Sequence, residues 1–484
     1  MDHNSYLSPN RQEGIESPGS SVFDLPVQST SAVRLASPRE DTTPPQPKLL
    51  AEPSPQPNAS PSYLVISGGS GGNSICTAFA NACYVLPVSD DGGSSSEIIR
   101  VLGGPSIGDI RSRLVRLIPA APPGSPLDAV RALLSYRLPA HVSERDARAE
   151  WRDIIEGQSQ LWSGIPNDRK EMIRGFLVYF ENEVLKRAHK NFSFLNGSIG
   201  NYFLAGAQGF FRSLPSAIFL FSSITNSQAN IVPVIVTNHT VTIAAELENG
   251  AKLVGQCEIS HPVSSPPSFD DIESDADPLS PVDGMGELIP RRQNVMFSQQ
   301  EKNEGFESLH SRISRLYYIN GYGHEIHPAP NPEFIKNLSS SDVLVYSCGS
   351  LWTSIIPCLA LRGVASAIAR SSPLRAKVLL LNSKNDRETE GYSAVDYIRA
   401  ITTALNSHYQ RPPYGLGNAN TTYPVSAFIT HLAYVRGTSV KVDMKAITTL
   451  GVKCIAVDSG GGPAPQFDAA SVRRALDQIL TLRD

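Results

Sequence analysis

The sequence predicts an α/β fold of the Rossmann-like, three-layer type, with a mainly parallel sheet, a helical insertion and a β-hairpin. Three observations lead to this prediction. Short apolar runs suited to buried strands, such as 63–66, 84–88 and 343–345, alternate with helical patterns along the chain. Several of these runs end in glycine-rich turns that precede a helix. The chain has 484 residues and is 41% hydrophobic, which is enough for one large α/β domain.

The domain organisation follows from changes in composition. Residues 1–61 are rich in Ser, Pro, Gln and Asn, and predict a disordered tail ahead of an α/β domain over 62–484. An acidic, Ser/Pro-rich stretch at about 261–307 predicts a disordered insertion. Helical periodicity at 144–156 and 168–188 predicts a helical insertion over about 120–190, which we expect to form a lid or the surface of a homodimer.

Elsewhere the pattern predicts further strands and a closing helix. Residues 231–237 favour a strand, and 241–247 favours a hairpin with 252–259 through the Glu248-Asn249-Gly250 turn. Near the end of the chain, 428–432 and 454–457 favour strands and 469–482 an amphipathic helix. These segments complete an alternating α/β pattern.

The first glycine-rich loop, 67–72, follows the apolar run 63–66. Successive glycines let backbone N–H groups approach an anionic or polar ligand, and Asn73 or Ser74 is a candidate cap for the next helix. The spacing does not fit the dinucleotide fingerprint, because Ser74 stands where a third glycine is expected, and no Gly-Lys-Ser/Thr of a P-loop follows. The alternative is a tight strand-to-helix turn without a ligand.

The second loop carries two adjacent acids, Asp90 and Asp91, followed by glycines and serines. Asp90 lies about 20 positions after the first glycines, where a Rossmann-like site places its ribose-hydroxyl acceptor. Two carboxylates beside an anion site would repel a phosphate, so either Mg²⁺ lies between them or they accept hydrogen bonds from ribose or base groups. The alternative is that one acid caps a helix that begins near Glu97.

Three further loops precede helical runs. In 103–114, Asp109 is the expected N-cap, and Arg111 is a candidate phosphate clamp whose alternative role is solubility. The stretch 196–205 offers Asn201 as a donor and acceptor. The stretch 346–357 predicts a second phosphate cradle or, alternatively, a Ser-capped helix with Trp352 in the core. The candidate ligand-binding residues of all five loops are Gly68, Gly69, Ser70, Gly71, Asn73, Gly92, Gly93, Ser94, Ser95, Arg111, Asn201, Gly349, Ser350, Thr353 and Ser354.

In this order, the segments 67–73, 88–96, 104–114, 196–205, 346–357 and 387–397 resemble the motifs of the CofD-like superfamily. That superfamily holds 2-phospho-L-lactate transferases and gluconeogenesis-factor proteins, and the resemblance covers nearly all of 63–399 apart from insertions. It implies a Rossmann-like fold whose pocket lies at the strand ends. It also implies that Asp90 and Asp91 hold Mg²⁺ or act as acceptors, and Asp109 is a third candidate catalytic residue.

Two functions therefore remain open for a site that takes a nucleotide-diphosphate or phosphoester ligand. One is a phosphoester transferase of the 2-phospho-L-lactate transferase type. The other is a non-catalytic regulator that binds a UDP-sugar or dinucleotide, and the Asp-Asp-Gly-Gly-Ser-Ser-Ser loop is closer to this branch. A redox enzyme is a weaker third alternative, because the glycine spacing is wrong. Tyr397 stands where the resembling branch has His, so the role of that imidazole does not transfer.

Composition limits the partners. A net charge of −4 argues against nucleic-acid binding as the main task. The chain contains no apolar run of the ~18 residues needed to span a membrane. Its amino terminus has no secretory-signal pattern, and its six cysteines show no C-x-x-C spacing. We therefore expect free thiols, no zinc site and a cytoplasmic protein, with a nuclear pool left open.

Overall fold

The computed structural model describes residues 60–261, 308–407, 422–460 and 464–481. The predicted tail, apart from residues 60 and 61, lies outside these ranges. The predicted acidic insertion also lies outside them, apart from His261.

Short apolar runs form a seven-stranded parallel sheet. Its strands, in chain order, are β1 (Tyr63–Ile66), β2 (Ala82–Leu86), β3 (Asn230–Pro233), β8 (Val343–Tyr346), β9 (Ala376–Leu380), β10 (His431–Val435) and β11 (Lys453–Val457). Helices cover parallel sheets on both faces, so the central strands are apolar at every position, and β1 is buried throughout. The spatial order is β11-β10-β9-β8-β1-β2-β3.

The strand order reverses at β1. Tyr63 pairs in parallel register with Ala82 of β2 on one side and with Val343 of β8 on the other. The chain therefore moves outward from β1 in one direction and later returns to build the other half of the sheet. This topology confirms the predicted Rossmann-like fold and puts a topological switch point between β1 and β8, where open α/β sheets bind ligands.

A second, antiparallel sheet contains the predicted hairpin. It comprises β4 (Thr242–Leu247), β5 (Lys252–Val254), β6 (Ile313–Ile319) and β7 (Glu325–Ile326), in the order β5-β4-β6-β7. The second hairpin strand is shorter than the predicted 252–259. At Gly255 the backbone turns to a φ of +90°, and the chain enters helix α9 (Gln256–Ser260). A positive φ is accessible to glycine, and it ends the extended run there.

The remaining helices surround the parallel sheet. They are α1 (Gly69–Ile75), α2 (Gly93–Leu102), α3 (Gly108–Arg116), α4 (Pro126–Ser135), α5 (Glu144–Glu156), α6 (Asn167–Leu185), α7 (Ile199–Phe211), α8 (Leu214–Ile224), α10 (Pro332–Leu338), α11 (Ile356–Leu359), α12 (Val364–Arg370), α13 (Ala394–Ser407), α14 (Val425–Phe428), α15 (Met444–Thr449) and α16 (Ala469–Thr481). Helix α5 has the predicted bounds. The predicted strands at 231–237 and 428–432 were misplaced, since β3 ends at Pro233 and β10 begins at His431.

Aromatic packing joins the inserted helices to the rest of the domain. The indole of Trp151 in α5 stacks on Phe194 at a centroid distance of 5.4 Å and meets the edge of Tyr202 in α7 at 5.2 Å. Phe180 of α6 stacks on the same tyrosine at 4.5 Å. Because α7 begins at one of the candidate loops, this cluster fixes the inserted helices relative to the site.

The described ranges contain all six cysteines, and each of them is a free thiol, as expected. Within the same ranges, no single helix is long and apolar enough to cross a membrane. One pair, Leu351–Leu359 and Val364–Arg370, passes that test together by length and composition only, and is bent by 79°.

Candidate functional site

Contacts link all five candidate loops near the carboxyl ends of β1, β2 and β8. A Cβ placed on Gly71 would lie 3.2 Å from both the nitrogen and the Cα of Gly349, so the two loops touch through their backbones. A Cβ on Gly68 would lie 2.9 Å from the Cβ of Ser354 and 3.1 Å from Oδ2 of Asp109. These positions require glycine because the loops approach each other too closely for a side chain. The contact lies at the point where the sheet topology predicts a ligand crevice.

The first loop begins its helix earlier than expected. The N-cap of α1 is Gly68, which makes no side-chain cap, and Gly69 has a φ of +56°. The predicted caps, Asn73 and Ser74, lie inside α1, and that prediction was wrong. Ser70 lies in the first turn of the helix. The Asn73 amide instead accepts a hydrogen bond from Nε of Arg113 at 2.7 Å.

Arg113 is a buried residue that holds the first loop. Its Nη2 donates to Oγ of Ser67 at 2.8 Å, and its guanidinium lies 4.7 Å from the ring centroid of Tyr84. Its Nη1 is buried without a hydrogen-bond partner among the described residues. The sequence pattern favoured Arg111, and not Arg113, as the candidate phosphate clamp. The helical repeat of α3 buries both and leaves Arg116 exposed.

Asp109 connects the third loop to the first. The N-cap of α3 is Ile107, so the predicted cap role of Asp109 was wrong, and its carboxylate lies in the first turn of the helix. Its Oδ2 accepts a hydrogen bond from the backbone N–H of Gly69 at 2.9 Å. Burial raises the pKa of Asp109, while the Gly69 N–H and the nearby Arg113 oppose that rise.

The two acids of the second loop have different surroundings. Asp90 is half-buried, and its Oδ1 accepts from the N–H of Gly92 at 2.9 Å. Burial, followed by the charge of Asp109, raises the pKa of Asp90 to about 7. The Oδ1 of Asp91 accepts from the N–H of Cys257 in α9 at 2.8 Å, which ties the loop to the second sheet. Neither acid caps α2, because its N-cap, Gly92, makes no side-chain hydrogen bond.

The acidic pair that could hold a cation is Asp90 with Asp109. Each carboxylate has one oxygen bonded to a backbone N–H, and the charge of Asp109 acts on Asp90. The described ranges contain no cluster of three or more His, Cys, Asp or Glu side chains suited to a metal ion. Mg²⁺ commonly takes one or two protein carboxylates and completes its shell with water and phosphate oxygens. Two carboxylates fit that pattern.

At the start of α2, predicted ligand residues from three loops form a chain of hydrogen bonds. The Nε of Arg111 donates to Oδ1 of Asn201 at 3.1 Å, and Nδ2 of Asn201 donates to Oγ of Ser94 at 2.7 Å. Ser95 is buried beside them. Burial, aided by the charge of Arg137, lowers the pKa of Arg111 to about 10. The structure thus brings together residues that are about 100 positions apart in the sequence.

The loop after β8 has an irregular backbone. Gly349 has a φ of +141°, and the amide of Asn382 holds it by accepting from its N–H at 3.1 Å and donating to its carbonyl at 2.7 Å. The segment Leu351–Ile355 forms a π-helical turn, a feature often found at functional sites. Ser350 is its N-cap but makes no side-chain cap, whereas Trp352 is 4% exposed and does belong to the core.

Glu388 is a residue that the sequence analysis did not select. Its side chain is buried and accepts from the N–H of Trp352 at 2.9 Å and from the hydroxyl of Thr353 at 2.5 Å. Ser260 of α9 adds a second hydroxyl at 2.6 Å. Burial and then the charge of Asp386 raise the pKa of Glu388 to about 7. The signal for it was present, since 387–397 was one of the segments that carry the family resemblance.

A recess at the amino-terminal edge of the sheet has a different character. Residues near Tyr63, Phe79 and Asn81 line it, and none of its lining side chains is charged. Because α/β sheets bind ligands at the carboxyl ends of their strands, the charged crevice at the opposite edge is the better candidate site.

Comparisons with known proteins identify the family. A family model described as 2-phospho-L-lactate transferase CofD matches residues 64–459. The chain belongs to the CofD family. A relative in Saccharomyces cerevisiae, named "Uncharacterized protein YNL011C", is 33% identical over 456 residues, which are 86% of this chain and 98% of the relative. A gluconeogenesis factor of Halalkalibacterium halodurans is 21% identical, over 70% of this chain and 72% of its own length.

A solved structure is similar in fold. The crystal structure of a UPF0052-family protein from Bacillus halodurans matches 86% of this CofD-family chain and 98% of its own, with a TM-score of 0.54 and 18% identity. At that identity the likeness concerns the fold alone. It agrees with the three-layer α/β architecture described above.

Proposed function

We propose that this CofD-family protein binds a nucleotide phosphate ester in the crevice between the β1, β2 and β8 loops, and transfers a phosphorus-containing group as a 2-phospho-L-lactate transferase-type enzyme does. The observation that carries the proposal is the Asp90–Asp109 pair, which lies beside backbone-lined glycine loops at the topological switch point. The name of the matching family model supports the same chemistry.

Mg²⁺ is the expected cofactor, and Asp90 with Asp109 would hold it. When bound, it would neutralise charge on phosphate oxygens and polarise the phosphorus–oxygen bond. Asp91, the other acid predicted as a metal ligand, already accepts a hydrogen bond from α9, so we assign it the role of fixing the loop. The Gly92 and Gly69 N–H groups orient the two carboxylates, and burial with the charge of Asp109 raises the pKa of Asp90 to about 7.

A second candidate function is a non-catalytic regulator that binds a UDP-sugar or dinucleotide. One observation favours it: Asp91, which the transferase resemblance assigns to Mg²⁺, accepts a hydrogen bond from α9 and is held within the fold. Tyr397, which stands where the resembling branch has His, has a structural role instead. The phenol oxygen lies 3.0 Å from the hydroxyl of Thr389 and 3.1 Å from the amide oxygen of Asn385, and so serves the loop that contains Glu388.

The test is a calorimetric titration of the full chain with UDP-sugars, guanosine nucleotides and dinucleotides, each with Mg²⁺ and with EDTA. For a transferase we expect Mg²⁺-dependent binding that Asp90→Asn and Asp109→Asn abolish. The matched control from the same loop is Asp91→Asn. This variant should still bind the nucleotide when it is tested at a temperature where it is folded. Turnover is then followed by phosphorus NMR, after candidate acceptors are added to the bound nucleotide.

The regulator would give a different result. Its ligand would bind in EDTA, Asp90→Asn would weaken binding only modestly, and no phosphorus resonance would change with time. The site assignment itself is overturned if a nucleotide binds and neither Asp90→Asn nor Asp109→Asn changes its affinity or its metal dependence.

A further inference from the structure

Two arginines converge on the start of helix α2 from different parts of the chain. Arg111 comes from α3, and Arg137 comes from the segment that follows α4, where it pairs with Ser198 in an isolated antiparallel bridge. The Nη1 of Arg137 donates to Oγ of Ser94 at 3.4 Å and to the carbonyl of Asn196 at 3.1 Å. Arg111 reaches the same serine through Asn201, as described above.

These two cations have no counter-ion among the described residues. Arg111 is 9% exposed, and its one hydrogen bond in the described structure goes from Nε to the neutral amide of Asn201. Neither guanidinium forms an ion pair there, and the charge of Arg137 acts on Arg111 as a repulsion. Burial of the uncompensated Arg111 cation is costly, so a cation in this position normally has an anionic partner.

The packing holds Arg111 in place. A Cβ on Gly200 of α7 would lie 3.0 Å from Cδ of Arg111, so the glycine leaves room for the aliphatic part of the side chain. Ser94 accepts hydrogen bonds from both Asn201 and Arg137, which leaves its own hydroxyl proton to donate. Ser94 itself lies in the first turn of the ten-residue helix α2, and the N–H groups that begin a helix lack acceptors within it.

We propose that Arg111, Arg137, the Ser94 hydroxyl and the amino end of α2 form a subsite for a doubly charged phosphate group, such as a terminal phosphate or a diphosphate. Two cations and a helix end match two negative charges better than the single charge of a diester. This inference deepens the proposed function and rests on it for the identity of the whole ligand.

The subsite adjoins the acidic pair without overlapping it. A Cβ on Gly108 would lie 2.6 Å from Oγ of Ser95, in the first turn of α2, and 3.7 Å from Oδ2 of Asp90. One ligand can therefore present a phosphate to the arginines and a cation-bridged phosphate to the carboxylates. It follows that the helical insertion, through Arg137, contributes to the ligand site as well as to the aromatic core.

The test uses methyl phosphate, which carries two charges at pH 8, and dimethyl phosphate, which carries one, titrated into the full chain in EDTA. Methyl phosphate should bind the wild type at least about tenfold more tightly than dimethyl phosphate. Arg137→Gln and Arg111→Met should each weaken methyl phosphate binding by about tenfold to a hundredfold, as expected for a lost charged hydrogen bond. Arg116→Gln, an exposed arginine of the same helix, is the control and should have no effect.

The outcomes separate this inference from the proposed function. If nucleotides bind with Mg²⁺ but methyl phosphate does not bind, or binds equally well to wild type and Arg137→Gln, the subsite is wrong and the proposed function stands. If methyl phosphate binds as expected but no nucleotide binds, the subsite stands and the proposed function is wrong. Arg137 is exposed, so its variant keeps the test valid even if Arg111→Met fails to fold.

Discussion

Replacement of Asp90 by Asn should remove a pH-dependent destabilisation of the metal-free protein. Burial and the charge of Asp109 raise the pKa of Asp90 from 3.8 to about 7. Between these two values the folded chain binds more protons than the unfolded chain, so the free energy of unfolding falls as the pH rises. The stability associated with the protonated carboxyl is fully present below pH 4 and lost above about pH 7. The amide of the Asp90→Asn variant does not titrate, and its oxygen retains the hydrogen bond from the N–H of Gly92.

The size of this effect follows from the same values. The difference between the two pKa values, roughly 3, corresponds to about 4 kcal/mol. Asp90 is partly exposed and shares its ionisation with Asp109, so solvent screening reduces the effect to about 2 kcal/mol. The unfolding entropy of a domain of this size is roughly 0.75 kcal/mol/K. We therefore expect Asp90→Asn to raise Tm by about 2–3 °C at pH 8 and to leave it unchanged at pH 4.5.

The assay is differential scanning calorimetry of wild type and variant in EDTA between pH 4.5 and 8. Asp91→Asn is the control, because Asp91 accepts from the N–H of Cys257 and its replacement should lower Tm or leave it unchanged at both ends of the range. Addition of Mg²⁺ should raise the wild-type Tm at pH 8 and have less effect on Asp90→Asn. A Tm difference between Asp90→Asn and wild type that is equal at pH 4.5 and pH 8, or negative at pH 8, would refute the reasoning.

Three further predictions concern the packing around the site. Glu388→Gln should lower Tm by several degrees, because an amide cannot accept all the hydrogen bonds that the carboxylate accepts, and the loss costs about 2–5 kcal/mol. The control is Glu390→Gln, an exposed position where Tm should not fall. Equal calorimetric scans for the two variants would contradict the role of Glu388. Gly71→Ala should lower Tm and ligand affinity, since its Cβ would lie 3.2 Å from the backbone of the facing loop. The control is Gly175→Ala in α6, where a Cβ would meet open space. That change should be neutral or should stabilise the fold by up to about 1 kcal/mol. Arg113→Lys should lower the free energy of unfolding by about 2 kcal/mol, because an ammonium group cannot replace the planar guanidinium that bonds to Asn73 and Ser67 in the first loop. An unchanged midpoint of urea unfolding would contradict this role.

The sequence was sufficient to predict the fold and the edge of the sheet at which the candidate loops lie. Apolar strands followed by glycine loops and helices determine a parallel sheet, and parallel strands put those loops on the same edge. The hairpin was predicted from its Asn-Gly turn, which is a local signal. Its second strand was overestimated because Gly255 turns the chain at a φ of +90°, and nothing in its neighbours marks that change.

Contacts between loops were not predictable in the same way. Helix α1 begins at Gly69 although glycine is a poor helix former, because packing of Gly71 against the β8 loop selects that backbone. The sequence analysis therefore put the helix start at Asn73, where the usual capping residue stands. Glu388 was missed for a related reason: its donors come from positions 35 and 128 residues away. A lone acid in a polar segment carries no local sign of such partners.

The charges of the crevice are arranged in an unusual way. Buried acids and arginines ordinarily pair with one another. Here Asp90 and Asp109 accept from backbone N–H groups, while Arg111 bonds to a neutral amide, and no ion pair joins the two sets in the described structure. Direct ion pairs between the acids and the arginine would have neutralised both and closed the crevice to a charged ligand. The separation of these charges has a cost in stability. A phosphate ester with its cation would supply a partner to the acids and to the arginine together.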